Sequence, residues 1–238
     1  MHTQDIEYHA DGVRLVGHRA LDETRTGKRP GVLVAHEGFG LSEHAKGAAQ
    51  RLAEAGYVAF ALDYHGDGKP LSDIGEVMRR IQNWMADPDG SLARSRAALE
   101  VLVGQTDTDP NRLAGIGYCY GGTMMLDLAR AGEDLKVVVG FHSGLSTVRL
   151  AAPSRVKSKI LVQVGAEDPI IPAEQRLAFE QEMTAAGVDW RMIVYSGCGH
   201  SFTNPNGNPT GAPGFHYHAI NDQRSWRAMI DLFNEALA

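Results

Sequence analysis

The chain has 238 residues, 43% of them hydrophobic and 22% charged, with a formal net charge of −6. This is the composition of an ordinary globular protein able to bury a sizeable core, and residues 1–238 read as a single domain. The acidic balance and the lack of any basic block argue against nucleic acid or an anionic membrane as partner, and no apolar stretch is long enough to span a bilayer.

Met1 to Ala20 mixes charged and polar residues around no apolar core, so it does not read as a secretory signal. Two cysteines give no disulfide framework, which suits a reducing cytoplasm. Residues 6–8 and 13–19 read as a strand pair turning at Asp11-Gly12. Val32 to Ala35 is a short apolar strand. Ser42 then caps a helix through about Ala55, ended by Gly56. Val58 to Leu62 is another buried strand, closed by Asp63. Helical patterns follow at 71–86 and 91–104, with Pro88 and Gly90 between them. Leu113–Ile116 is the next strand and 120–131 its helix. Val137–Phe141, Ile160–Val164 and Arg191–Tyr195 are three more strands, with a helix at 173–187. The last helix runs from about Asn221 to Leu237.

Short apolar strands alternating with helices of ten or more residues make βαβ units. The expected fold is α/β, a mainly parallel sheet of about eight strands with helices on both faces. In such sheets chemistry gathers beyond the carboxyl ends of the strands, so reactive side chains should follow the apolar runs directly.

The most informative of these places is Gly115-Ile116-Gly117-Tyr118-Cys119-Tyr120-Gly121-Gly122. A strand leads in and a helix leads out, and glycines stand two residues either side of Cys119. This matches the G-x-(Ser/Cys)-x-G nucleophile elbow of the α/β-hydrolases. A dinucleotide fingerprint would need glycine where Tyr120 stands, and a phosphate loop would need a Lys-Ser/Thr pair. A tight turn around a buried thiol is the plain alternative. Two other strand ends decide between them. Ile160–Val164 runs into Gly165-Ala166-Glu167-Asp168-Pro169, and Arg191–Tyr195 into Ser196-Gly197-Cys198-Gly199-His200-Ser201-Phe202. Cys119, Asp168 and His200 thus stand in the order nucleophile, acid, histidine, each after its own strand.

In this reading His200 takes the thiol proton and Asp168 fixes the imidazole from its other nitrogen. Asp168 also reads as a helix N-cap, because Asp-Pro-Ile-Ile-Pro precedes a helix. His36-Glu37-Gly38-Phe39-Gly40 follows Val32–Ala35, where an oxyanion loop belongs, and the backbone amides of Gly38 and Tyr120 are the expected donors. Glu37 is unusual there: a carboxylate near a thiol raises the thiol pKa and would keep the resting nucleophile quiet.

These four segments together resemble the dienelactone hydrolase family of cysteine α/β-hydrolases, over nearly everything from Val32 to the C-terminus. The resemblance implies hydrolysis of an enol-lactone or similar activated ester through an acyl-cysteine intermediate, with no cofactor and no metal. It implies that Glu37 holds the thiol until substrate displaces it. It also implies a pair of arginines gripping a substrate carboxylate. Arg79 and Arg80 are candidates for one of them; the other position, four residues beyond the histidine, is Asn204 here. Phe39, Ser201, Phe202 and Asn204 are the remaining candidate substrate contacts, and the insertion Pro205 to His218 belongs beside them.

Other features weigh less. Cys119 and Cys198 form a redox pair only if their Cα atoms lie within about 7 Å. His216 and His218 with His200 lack an acid or cysteine at ligand spacing, so a solvated loop is the better reading. A broad carboxylesterase or thioesterase, a thiol redox sensor and a silent binding module are the competing functions. The expected partner is a small ester or lactone, in a monomer or homodimer.

Overall fold

The computed structural model describes residues 1–209 and 211–238; Thr210, within the expected insertion, lies outside the described residues. Among the described residues there are eight strands and six helices, and the strands belong to one sheet. The chain divides into two compact units, Met1–Ile116 and Gly117–Ala238.

The first unit opens with β1 (His2–Ala10) and β2 (Val13–Leu21), an antiparallel pair. Asp11 and Gly12 turn the chain between them at φ 50° and 75°. Next come β3 (Arg29–Ala35), α1 (Glu43–Glu54), β4 (Val58–Leu62), α2 (Ile74–Ala86), α3 (Pro88–Val103) and most of β5 (Thr108–Tyr118). The strand order here is β1-β2-β4-β3-β5. β2 meets β4 antiparallel, and β3 meets β4 in parallel register, Val32 beside Ala59 and Val34 beside Ala61. All of β4 and Val32–Ala35 of β3 are buried, as uninterrupted apolar runs in a covered parallel sheet must be.

The second unit carries the last two residues of β5, then α4 (Tyr120–Arg130), β6 (Val137–Phe141), β7 (Lys159–Gly165), α5 (Ala173–Ala185), β8 (Trp190–Tyr195) and α6 (Ala219–Ala236). β6, β7 and β8 run side by side and parallel. Arg130, almost fully buried, is satisfied by Glu182 through two hydrogen bonds of 2.8 Å, by Asp127 at 3.0 Å and by the Leu145 carbonyl.

Several boundaries differ from the sequence reading, each for a local reason. Pro88 and Gly90 were expected to separate two helices but lie in the first turn of α3. The Asp87 carboxylate accepts the Gly90 amide at 2.9 Å, and proline needs no partner for a missing N–H at that position. Ser42 is the N-cap residue of α1, yet its hydroxyl makes no capping bond. β5 begins five residues earlier than Leu113 because its polar start, Thr108 to Arg112, also takes strand geometry. None of the helices among the described residues is long and apolar enough to cross a membrane.

Asp63, directly after β4, organises the loop that follows. Its carboxylate accepts four backbone amides, from Val16 at 3.2 Å, His65 at 2.9 Å, Gly66 at 2.8 Å and Gly68 at 2.8 Å. The Tyr8 hydroxyl donates to the Asp63 carbonyl at 2.7 Å. Asp63 is fully buried, so no water can replace it. Asp63→Ala is therefore expected to destabilise the fold by about 3 kcal/mol or more, because one buried and three part-buried amides lose their acceptor at once. Urea unfolding measures it; a change below about 1 kcal/mol would contradict this account.

Candidate active site

In the second unit Gly117 and Gly122 leave no room for a side chain. A Cβ on Gly117 would stand 2.3 Å from the Gly121 carbonyl oxygen, and one on Gly122 would stand 1.7 Å from Ser143 Oγ. The chain turns here from β5 into α4 with Cys119 at φ 53° and ψ −124°. That is a conformation non-glycine residues avoid, and it is held because both flanks are fixed. The Cys119 amide donates to the Phe141 carbonyl at 3.0 Å, and its own carbonyl accepts Gly122 at 3.1 Å. The Cys119 side chain, partly exposed, sits at the N-terminus of α4, where the helix dipole favours an anion.

Asp168 follows β7 and His200 follows β8. Their side chains meet in full burial, Nδ1 of His200 lying 2.8 Å from Asp168 Oδ2. The other oxygen, Oδ1, accepts the Ile170 amide at 2.8 Å. Asp168 is thus fixed through both oxygens, but not as a helix cap. The helix begins about one turn later than that role needs, with Pro172 in the N-cap position.

Burial by itself works against a charged His200. The charge interaction with Cys119 and the hydrogen bonds that the imidazolium donates to Asp168 and to Cys119 outweigh it and push the imidazole up to about 10. His200 is therefore held in its charged form at neutral pH. Because the folded value lies above the ordinary value near 6.5, the stabilisation from charged His200 is complete below about pH 6.5. It is lost as pH rises through about 10.

The loop carrying His200 is tied to residues that return to it. The His200 amide donates to the Gly214 carbonyl at 2.7 Å, and the His216 amide donates to the His200 carbonyl at 3.2 Å. Ser201 adopts φ 59° and is buried. Phe202 is fully buried, packing with Tyr195, Cys198 and Ile193, so it supports the loop from within. Asn204 is also buried, and its side-chain oxygen accepts the Asn206 amide at 2.9 Å, closing a turn. His216 reaches the Gly197 carbonyl at 3.1 Å, and His218 caps α6 by accepting the Asn221 amide. Among the described residues no group of three or more His, Cys, Asp or Glu is arranged to hold a metal ion.

Cys198 is fully buried and takes a hydrogen bond from Asn221 at 3.0 Å; burial pushes its thiol up. A thiol in that setting is a poor nucleophile, which counts against a redox pair with Cys119.

His142, which the sequence reading did not single out, follows β6 at φ 40° and is fully buried. Its Nε2 lies 2.8 Å from the Thr203 hydroxyl, and its ring stands edge-on to His200 with centroids 5.1 Å apart. Applied to every apolar run, the strand-end rule would have found it.

In the first unit the loop after β3 is held by the loop after β4. The Tyr64 hydroxyl donates to the Glu37 carbonyl at 3.0 Å, and His36 Nδ1 lies 2.5 Å from the same oxygen. His65 Nε2 lies 2.9 Å from the Gly38 carbonyl. The Leu71 amide donates to the Phe39 carbonyl at 2.6 Å, so Phe39 is fixed by its backbone. Glu37 is buried, with His44 Nδ1 3.5 Å from its carboxylate. Of the two arginines on α2, Arg79 is exposed. Arg80 is committed: Nη2 and Nε bind Glu76 at 2.7 and 2.9 Å, and Nη1 donates to the His65 carbonyl at 3.1 Å. A cavity of about 390 Å³ beside them is lined by Arg79, Arg80, Asn83, Trp84 and Asp87.

Residues 18–237 match the dienelactone hydrolase family. The chain belongs to that family. It is accordingly an α/β-hydrolase, of the class that acts on carboxylic esters. It is similar to a dienelactone hydrolase-like promiscuous phosphotriesterase from metagenomic libraries, at 37% identity and a TM-score of 0.95, covering 100% of this chain and 99% of that one. A solved structure named m3DLH is 40% identical, with a TM-score of 0.94 and the same coverage. A Yersinia pestis protein provisionally named a carboxymethylenebutenolidase is 28% identical over 252 residues, 99% of this chain and 89% of the relative.

The charge on Cys119 is a principal reason for the high value of His200, so Cys119→Ala should lower it. In a ring-proton NMR titration wild-type His200 is expected to stay protonated through pH 8 and to titrate near 10. A titration unchanged by Cys119→Ala would refute the coupling.

Proposed function

We propose that the chain is one catalytic domain that hydrolyses lactones or small carboxylic esters through an acyl-cysteine intermediate. The observation that carries this reading is the buried Asp168–His200 pair, together with Cys119 at the tip of a strained strand-to-helix turn. A charged, desolvated imidazole beside a thiolate is a nucleophile and a proton donor in one unit.

The Cys119 thiolate attacks the acyl carbon, forming the carbon–sulfur bond and moving the carbonyl π electrons onto oxygen. The Tyr120 amide, first in α4, donates to that oxyanion; the place of Gly38 in the loop after β3 gives its amide the same role. As the oxyanion collapses, the bond to the leaving oxygen breaks and His200 gives it a proton. In a lactone that leaving oxygen stays tethered as a hydroxyl. Neutral His200 then takes a proton from water as its oxygen attacks the thioester. Collapse releases the acid and returns thiolate beside imidazolium. Asp168 keeps one tautomer and orientation of the ring throughout, and no external proton or electron is consumed.

In this reading Glu37 restrains the resting thiol, and Arg79, Arg80, Phe39, Ser201, Phe202 and Asn204 shape substrate choice. Asn204 is neutral and spent in a turn, and Arg80 is paired with Glu76. Both facts favour an uncharged substrate over one gripped by a full arginine clamp. The metagenomic relative's name supports a forgiving acyl or phosphoryl site, and paraoxon is a natural second substrate to try.

With p-nitrophenyl acetate a burst of nitrophenolate is expected, together with one acetyl group on Cys119. Cys119→Ala should abolish both, and Asp168→Asn should lower kcat by about 100-fold or more. Intact mass during turnover reads the adduct. Acetylation that survives Cys119→Ala would end this reading.

A further inference from the structure

The loop His36–Gly40 is held by its carbonyl oxygens. The Glu37 oxygen is met by the Tyr64 hydroxyl at 3.0 Å, by His36 Nδ1 at 2.5 Å and by the Gly40 amide at 3.2 Å. A carbonyl only accepts, so the His36 proton must sit on Nδ1. Its Nε2 is then the acceptor, and the Tyr64 amide lies 3.5 Å from it. The two rings stack with centroids 3.9 Å apart at 18°, so neither can swing away alone. Burial holds His36 well below the usual histidine range, which keeps it neutral and keeps this tautomer.

The next peptide is fixed by the same logic. Trp84 Nε1 can only donate, and it lies 3.2 Å from His65 Nδ1. His65 must therefore carry its proton on Nε2 and donate it to the Gly38 carbonyl at 2.9 Å. The ring is anchored in turn by Asp63, whose carboxylate accepts the His65 amide.

A trans peptide is planar, with its C=O and N–H on opposite sides. The Glu37 carbonyl and the Gly38 N–H belong to one such plane. Pinning the oxygen toward Tyr64 and His36 turns the Gly38 N–H to the other side and stops it rotating. Gly38 itself has no Cβ and backs onto Val77 and Ile81 of α2, where a Cβ would meet carbons 3.1 and 3.2 Å away.

We propose that Tyr64, His36 and His65 are positioning residues for the oxyanion donor, acting through two peptide planes of the 36–40 loop rather than on substrate. This rests on the assignment of the Gly38 amide to the oxyanion under the proposed function. The role predicts an effect confined to steps in which negative charge develops on a carbonyl oxygen, because a donor that can rotate no longer waits in place for that charge.

The experiment compares two reactions of Cys119 in the same protein. Acylation by p-nitrophenyl acetate passes through an oxyanion. Alkylation by iodoacetamide, in which the thiolate displaces iodide at carbon, does not. Tyr64→Phe removes the hydroxyl, and His65→Leu removes the donor to Gly38. Each is expected to slow acylation by about 10-fold or more, with KM changed by less than about twofold and the alkylation rate unchanged. His65→Gln, which keeps an amide donor and an acceptor, should recover most of the acylation lost in His65→Leu. Thermal melts identify a variant that fails to fold, and the other residue then carries the test.

Equal slowing of acylation and alkylation would overturn the proposal in favour of a general scaffold role. So would unchanged acylation in both Tyr64→Phe and His65→Leu. If wild-type Cys119 is alkylated but never acylated, the hydrolase reading itself falls and this proposal with it, an outcome distinct from the other two.

Discussion

At the strand-to-helix turn two backbone segments approach too closely for any side chain to stand between them. With a Cβ on Gly117 only 2.3 Å from the Gly121 oxygen, every residue but glycine is excluded there. That approach is what holds Cys119 in a conformation it would not choose. Such backbone strain is worth about 1–3 kcal/mol and persists only when neighbours over-determine it. Here β5 on one side and the first turn of α4 on the other supply the constraint, with the Phe141 carbonyl holding the Cys119 amide between them. The placing of Cys119 at the head of α4 follows from that turn.

A second regularity is that loops are fixed through polar atoms whose alternatives have been removed by burial. Asp63 gathers four amides, Tyr64 and His36 hold one carbonyl, and Asp168 uses both carboxylate oxygens. A buried group with a single satisfied arrangement cannot drift, because each lost hydrogen bond would stand uncompensated. Rigid presentation of side chains and amides is thereby obtained without regular secondary structure.

Much of this was legible in the sequence, for a physical reason. Residues buried on both faces of a parallel sheet must be apolar, so strands such as Val58–Leu62 and Val137–Phe141 announce their own limits. Polar residues beyond strand ends then announce themselves as breaks in those runs, which is how Cys119, Asp168 and His200 were singled out. Family resemblance added the expected arginines and the idea that substrate displaces Glu37. Helix starts were less legible. They depend on which of several polar groups wins a capping contest, and Asp87 prevailed around Pro88 where Asp168 did not around Pro172. Phe202 and Asn204 show a further limit. Both stand near the histidine in sequence, but side-chain direction is set by packing, and both turn inward. The hydroxyl of Tyr64 and the tautomers of His36 and His65 are tertiary facts with no local pattern at all.

The histidine loop has an evolutionary reading. His200 shares hydrogen bonds with Gly214 and His216, and a Cβ on Gly199 would stand 1.9 Å from the Gly214 oxygen. The segment that departs after His200 is thus stitched back to the very residue it leaves. A lineage that altered the intervening stretch would inherit two fixed seams, one on each side, and any change of length would have to be absorbed between them. Variation in this segment is therefore compartmentalised. Change can accumulate in the excursion while the backbone hydrogen bonds of His200 keep both seams closed.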